Sequence, residues 1–183
     1  MLVLITLAPL PSFFAFMVYE HGTAYRAGVE RELLRATRAV GAALDDSFDA
    51  TIRNLQDLAS SEHLDLGRLR EFHAQALRVQ TAHEEWLSLS LFDPSGQRLL
   101  YTPEPFGAPL PPRPGAMAER FRALVESRQP AVSDVFMLPA RKRLGFSIAV
   151  PVVRDEQVRY VLSAGIDGVA LTRILARQRV PEH

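Results

Sequence analysis

The sequence predicts an α+β domain: a five-stranded antiparallel sheet with helices to one side, entered through a long N-terminal helix and preceded by a transmembrane helix. Three observations lead there. Trp86–Phe92 alternates large apolar residues with Ser88 and Ser90, and the turn residues Asp93-Pro94-Ser95-Gly96 separate it from a second apolar run at Leu99–Tyr101, which together make a β-hairpin. Leu144–Val153 and Val158–Ile166 form a second strand pair around the polar connection Arg154-Asp155-Glu156-Gln157. Ahead of the strands, apolar residues recur at Val29, Leu33, Val40, Leu44, Phe48, Ile52, Leu55 and Ala59, with a helical period and no proline between them.

Composition sets the bounds. With 183 residues and 48% apolar residues the chain can bury one core of ordinary size, with material left over. The formal net charge is zero, which removes the sequence-independent attraction that nucleic-acid binding needs. There is no cysteine, so disulfides, thiolate metal sites and cysteine nucleophiles are excluded. Of the 21 basic residues only Lys142 is a lysine, a bias that reflects genome composition rather than function.

In chain order, Met1–Tyr19 carries no charge and is long enough to cross a ~30 Å hydrocarbon core as a helix. It lacks a basic n-region and a small-x-small cleavage site, so an uncleaved anchor is favoured over a signal peptide. Arg26, Arg31, Arg35 and Arg38 follow it, and taken alone they would place the rest of the chain on the cytoplasmic side. Residues 20–59 read as one helix, its first part (20–47) a juxtamembrane stalk or dimer seam and its second part packed on the sheet; a break at Gly41 or Asp45-Asp46 is the alternative. Asp45, Asp46 and Asp49 mark its wet face. Ser60-Ser61-Glu62-His63 interrupts, and Asp65 is placed to N-cap a second helix from Leu66 to Ala82.

After the hairpin, six prolines between Pro103 and Pro114 make a loop expected to lie over the sheet. A short helix (Ala116–Ser127) follows, then a strand at Val132–Leu138, the basic turn Arg141-Lys142-Arg143, the long strand pair, and a last helix at Val169–Arg179. The domain boundaries are 1–19 anchor, 20–47 stalk and 48–183 folded domain.

Long helix, short helix, Trp86 with Asp93 and Gly96 in the pattern Trp-x6-Asp-x2-Gly, a proline-bearing loop, the Ala149-Val150-Pro151-Val152 strand and the strand end Gly165-Ile166-Asp167 together resemble a Cache domain. These are PAS-like extracytoplasmic sensor modules of bacterial membrane receptors. The resemblance covers Val29 to Arg179 and implies a periplasmic ligand-sensing input domain anchored in the inner membrane, dimeric through the long helix. The implied parent is a sensor histidine kinase, or else a diguanylate cyclase, and this chain is a single unit or the distal half of a double module. It implies no cofactor.

In that family the ligand lies between the sheet and the loop covering it. Strict alternation puts Trp86, Ser88, Ser90 and Phe92 on one face and Leu87, Leu89 and Leu91 on the other. The apolar face should meet the long helix, leaving the mixed face to line a pocket. Tyr101, Asp134, Arg143, Phe146, Ser147 and Ser163 join it from neighbouring strands as candidates. Amino-acid-sensing members carry an arginine two residues before this tryptophan and a tyrosine after it. Glu84 and Leu87 stand there, which argues against a typical amino acid as ligand. Arg141-Lys142-Arg143 could clamp an anion, although a solvated turn is the commoner role. His73, His83, Glu84 and Glu85 lack metal-ligand spacing. No nucleophile–base order, phosphate loop or dinucleotide fingerprint occurs, so the expectation is a sensor and not an enzyme. The alternative is an interaction and dimerisation module with a filled core.

Overall fold

The computed structural model describes residues 37–39, 41–112, 115, 118–138 and 142–170. The chain divides into two compact units, Ala43–Arg177 and a second made of Met1–Ala42 with Gln178–His183. Of the second unit only 37–39, 41 and 42 are described, and they are helical. The Met1–Tyr19 anchor and most of the final helix lie outside the described residues. Among the described residues no helix is long and apolar enough to cross a membrane.

The larger unit begins with α1 (43–59), unbroken at Asp45-Asp46. Its polar residues Asp45, Asp46, Asp49, Arg53, Gln56 and Asp57 are exposed, while Leu55, Leu58 and Ala59 are buried. α2 (Glu62–Asp65) follows after a single turn, and its cap is Ser61, whose hydroxyl accepts from the His63 N–H. α3 is Leu69–Thr81. Asp65 is therefore not the start of the second helix. It ends α2 and pairs with Arg154, 2.5 Å away, at the far end of the sheet.

Six strands form one antiparallel sheet: β1 (Trp86–Phe92), β2 (Arg98–Tyr101), β3 (Ala131–Val132), β4 (Phe136–Leu138), β5 (Arg143–Arg154) and β6 (Gln157–Asp167). The order is β2-β1-β6-β5-β3, with β4 also paired to β5. The stretch Val132–Leu138, expected as one strand, is two: Ser133 leaves the ladder, its N–H still donating to the Ser147 carbonyl, and the chain returns to β5 at Phe136. β5 and β6 meet in a two-residue turn at Asp155 and Glu156, both at positive φ (50° and 59°), the conformation that matches the twist of the strands it joins.

One sheet face carries Leu89, Leu91, Leu100, Ile148, Val150, Leu162 and Ala164 against Leu55, Leu58, Leu64, Phe72 and Ala76 of the first three helices. Each large side chain fully buried there contributes about 1.5–3 kcal/mol by leaving water. Gln80 and Thr102 join α3 to this core: the Thr102 hydroxyl donates to Gln80 Oε1 and accepts from the Leu89 N–H. α4 (Ala118–Ser127) lies on the opposite face, where Phe121 and Leu124 pack on Phe92, Ala149 and Val161. Helices thus cover both faces and not one. The first part of the proline loop does not lie over the sheet's second face. Its Glu104 carbonyl meets His73 Nε2 at 3.1 Å, and Phe106 sits edge-on to His73 beneath Arg70, all against α3.

Candidate functional site

The second face is only partly covered by α4, and the uncovered part is a hollow of about 310 Å³, counting the space open to solvent. Its floor is Ser88 and Ser90 of β1, Ser163 and Gly165 of β6, and Ser147 of β5. These residues converge because antiparallel partners share a face: Ser88 pairs with Gly165, Ser90 with Ser163, and Ser147 with Gly165. All four serines are buried. Among the described residues no hydrogen bond engages the hydroxyls of Ser88, Ser90 or Ser163. One wall is Phe92, Arg98 and Tyr101, and the other is Phe136 and Leu138 of β4. Gly165 keeps the floor low: a Cβ there would stand 2.6 Å from the Ser88 hydroxyl and 3.2 Å from Leu138 Cδ2.

Among the described residues Arg98 is the one charged side chain lining the hollow. Its guanidinium carbon lies 5.1 Å from the Phe92 ring centre and 4.6 Å from that of Tyr101. Its Nε and Nη1 atoms are buried and have no hydrogen-bond partner among the described residues. Burial pushes its pKa below the ordinary arginine value, with the Tyr101 phenol working the other way; arginine nonetheless stays charged in proteins. A buried donor without a partner costs about 1–3 kcal/mol, and more when it is charged.

Arg98 escapes strict alternation because of a bulge. Leu91 pairs with Leu100 and Phe92 with Arg98, so Leu99 is an extra residue in β2. The extra residue turns Arg98 from the helix face to the face of Phe92. A second bulge does the reverse for Trp86. Trp86 pairs with Ile166 and Ser88 with Gly165, so Leu87 is extra in β1. Trp86 therefore joins Leu89 and Ile166 in the helix-side core, with its ring stacked on His83 at 4.1 Å. Leu87, expected beside Leu89, is only half-buried.

The other expected site residues divide as follows. Ser88, Ser90, Tyr101, Ser147 and Ser163 line the hollow together with Phe92. Phe146 does not: as the neighbour of Ser147 on a regular strand it faces the helices, where it meets the Phe48 ring at 5.5 Å. Asp134 is exposed at the surface and bound by Arg120 at 2.7 Å. Arg143 is half-exposed at the end of the sheet and pairs with Asp167 at 3.1 Å, so its charge is already answered. Of the histidines weighed for a metal, His73 is held by the Glu104 carbonyl and His83 by Trp86 and Glu85. Among the described residues no group of three metal-ligating side chains comes together.

No protein-family model matches the sequence, and no curated protein matches it significantly. Solved structures do match. The ligand-binding domain of the Pseudomonas aeruginosa amino acid chemoreceptor PctB, in complex with L-Gln, superposes with a TM-score of 0.59 at 17% identity, over 77% of this chain and 56% of that one. That of the Pseudomonas fluorescens chemoreceptor CtaA with L-valine gives 0.57 at 14% identity, over 74% and 60%. The Escherichia coli DcuS sensor domain gives 0.54 at 14% identity, over 74% of this chain and 98% of that one. This chain thus spans little more than half the length of the two chemoreceptor domains. The likeness is one of fold: the chain has the architecture of PAS-like, Cache-type sensor domains, as the order of its motifs implied.

Proposed function

We propose that this chain is the extracytoplasmic ligand-sensing input domain of a transmembrane receptor, most simply a sensor histidine kinase. Its membrane anchor would be Met1–Tyr19, its domains 1–19, 20–47 and 48–183, and its dimer seam the long helix. One observation carries the reading: a partly covered sheet face on which the Ser88, Ser90 and Ser163 hydroxyls and two buried nitrogens of the Arg98 guanidinium converge without partners among the described residues. Polar groups gathered at an apolar-walled hollow are the usual form of a small-molecule site.

The structural neighbours support it, since they are ligand-binding and sensor domains. PctB holds L-Gln and CtaA holds L-valine, so amino acids stand first among the molecules to test. The expectation against them rested on Glu84 and Leu87 as flanks of a pocket tryptophan. Trp86 faces the helices, so that objection loses its footing.

The test is a melting-temperature screen of the full chain against each proteinogenic amino acid and a set of small organic acids. A ligand at a hundred times its Kd stabilises by about 2.7 kcal/mol, which raises the Tm of a domain this size by roughly 5–10 °C. If none raises it, the sensing reading is wrong and an interaction module takes its place.

A further inference from the structure

We infer that the chain has a second ligand site, a groove between α1 and α3 on the helix side of the sheet, and that it takes a linear aliphatic diammonium ion. The site is separate from the hollow and does not rest on what binds there.

The groove encloses about 510 Å³, counting the space open to solvent. Asn54, Asp57 and Leu58 line it from α1, Gln75 and Val79 from α3, and His83 from just past the end of α3. Ser61, which follows α1, donates its hydroxyl to Gln75 Oε1 at 2.5 Å. The late end of α1 therefore lies at the early part of α3, and the two helices run antiparallel. That sets Asp57 towards Gln75 at one end of the groove and Asn54 towards His83 at the other. At 1.5 Å per helical residue, the α3 side from Gln75 to His83 is about 12 Å long.

Both ends present acceptors. No ion pair engages the Asp57 carboxylate among the described residues, Arg53 one turn away included. Gln75 Oε1 is held in place by Ser61 and keeps a second lone pair. At the other end, no hydrogen bond engages the Asn54 side-chain amide among the described residues. The Glu85 carboxylate, 3.5 Å from His83 Nδ1, draws the imidazole proton to that nitrogen and leaves Nε2 to accept. Between the ends lie buried Leu58 and half-buried Val79. Among the described residues no Lys or Arg lines the groove. The lining thus calls for N–H donors at each end and methylenes between them, which is the chemistry of a short diamine in its charged form. One carboxylate and one imidazole fall short of the ligand sets that hold zinc or calcium. A ligand here touches α1 and α3 directly and fixes their spacing, so it acts on α1 without passing through the strands.

The experiment titrates the full chain with putrescine, cadaverine, n-butylamine, 1,4-butanediol and tetramethylammonium, up to tens of millimolar at constant ionic strength. Calorimetry gives affinity. Fluorescence gives place, because Trp86 is the only tryptophan and its ring stacks on His83. The diamines are expected to change the fluorescence and to bind at least about fivefold more tightly than butylamine, which satisfies one end only. Butanediol and tetramethylammonium, lacking charge or N–H donors, should not bind measurably. Asp57→Asn should lower diamine affinity at least about fivefold, and Asn54→Leu should lower it at least about twofold. Either variant should keep the affinity of any compound bound in the hollow within about threefold. Equal binding of diamine and monoamine overturns the proposal, as does a diamine affinity unchanged in Asp57→Asn. If Asp57→Asn does not fold, the comparison of diamine, monoamine and diol on the parent chain decides alone. If no diamine binds, the second site is wrong, and a change of oligomeric state in Asp57→Arg would assign the groove to a second copy of the chain. The sensing reading stands or falls separately on the melting-temperature screen.

Discussion

Buried guanidinium nitrogens without a partner among the described residues are a standing cost, and Arg98 carries it at Nε and Nη1. Replacing such a group by an apolar one of similar shape is neutral or stabilising, because the desolvation penalty goes while the packing stays. Arg98→Met should therefore leave the chain, without added ligand, as stable as the parent or up to about 1–2 kcal/mol more stable in urea unfolding. A loss above about 1 kcal/mol would mean that the stacking on Phe92 and Tyr101 outweighs the cost of the buried donors. Trp86 should behave in the opposite way. It is 3% exposed and packed in the helix-side core, so Trp86→Ala should cost about 3–5 kcal/mol. The milder Trp86→Phe should keep the affinity for any compound that binds in the hollow within about threefold, because the ring is on the wrong face to touch it. Together the two sets of variants test stability and binding separately.

Strands and turns decide which residues reach the hollow, and here the sequence was only half legible. Period-2 alternation correctly placed Ser88, Ser90 and Leu89, Leu91 on opposite faces, because β1 is regular between the two bulges. It misplaced Trp86 and overlooked Arg98 for one reason: Leu87 and Leu99 each add a residue to one strand and none to its partner. An extra leucine among leucines leaves no mark in composition, so neither bulge could be read from the pattern. Phe146 was open to correction from sequence alone, since it and Ser147 are neighbours on a strand and cannot share a face. The turn was legible in full. Gly96 sits at φ 90°, and Asp93 Oδ1 accepts from the Ser95 hydroxyl at 2.6 Å and the Gln97 N–H at 2.9 Å. Lost hydration pulls the Asp93 carboxyl up, but the hydrogen bonds from Ser95, Gln97 and Gly96 outweigh it and hold the pKa below the usual carboxylate range. The folded value is depressed, so its contribution to stability is complete above the unfolded value of about 4 and is lost as pH falls through the folded value. In an acid titration followed by NMR, the Gln97 amide should shift with a midpoint below 4, roughly that of a free aspartate, and the Asp93→Asn variant should show no such step. A midpoint at or above the free value would remove the charge from the account of this turn.

At the scale of the molecule the hollow and α1 lie on opposite faces of one sheet, so a bound ligand reaches the helix only by moving strands. The layer order was legible because hydrophobic periodicity reports burial directly. The placement of α4 on the second face was not, since an amphipathic helix carries no mark of which surface it will cover. β5, like β1 and β6, touches both sides: Ser147 lines the hollow, and the preceding residue, Phe146, rests on Phe48 of α1. A ligand shifts this arrangement only if it binds two positions of β5 with different affinity. A ligand that draws the residues of the hollow together is suited to do so, because β1 and β6 connect β2 to β5 through paired rungs. The expectation is that the compound giving the largest melting shift changes amide hydrogen exchange in two places, the hollow strands and residues 43–59 of α1. Phe146→Leu should keep the affinity within about threefold, since the side chain is not in the hollow, yet reduce the exchange change in α1. If α1 responds as strongly in that variant as in the parent, coupling runs by another route. If α1 does not respond in either protein, the ligand is bound without being reported through this helix.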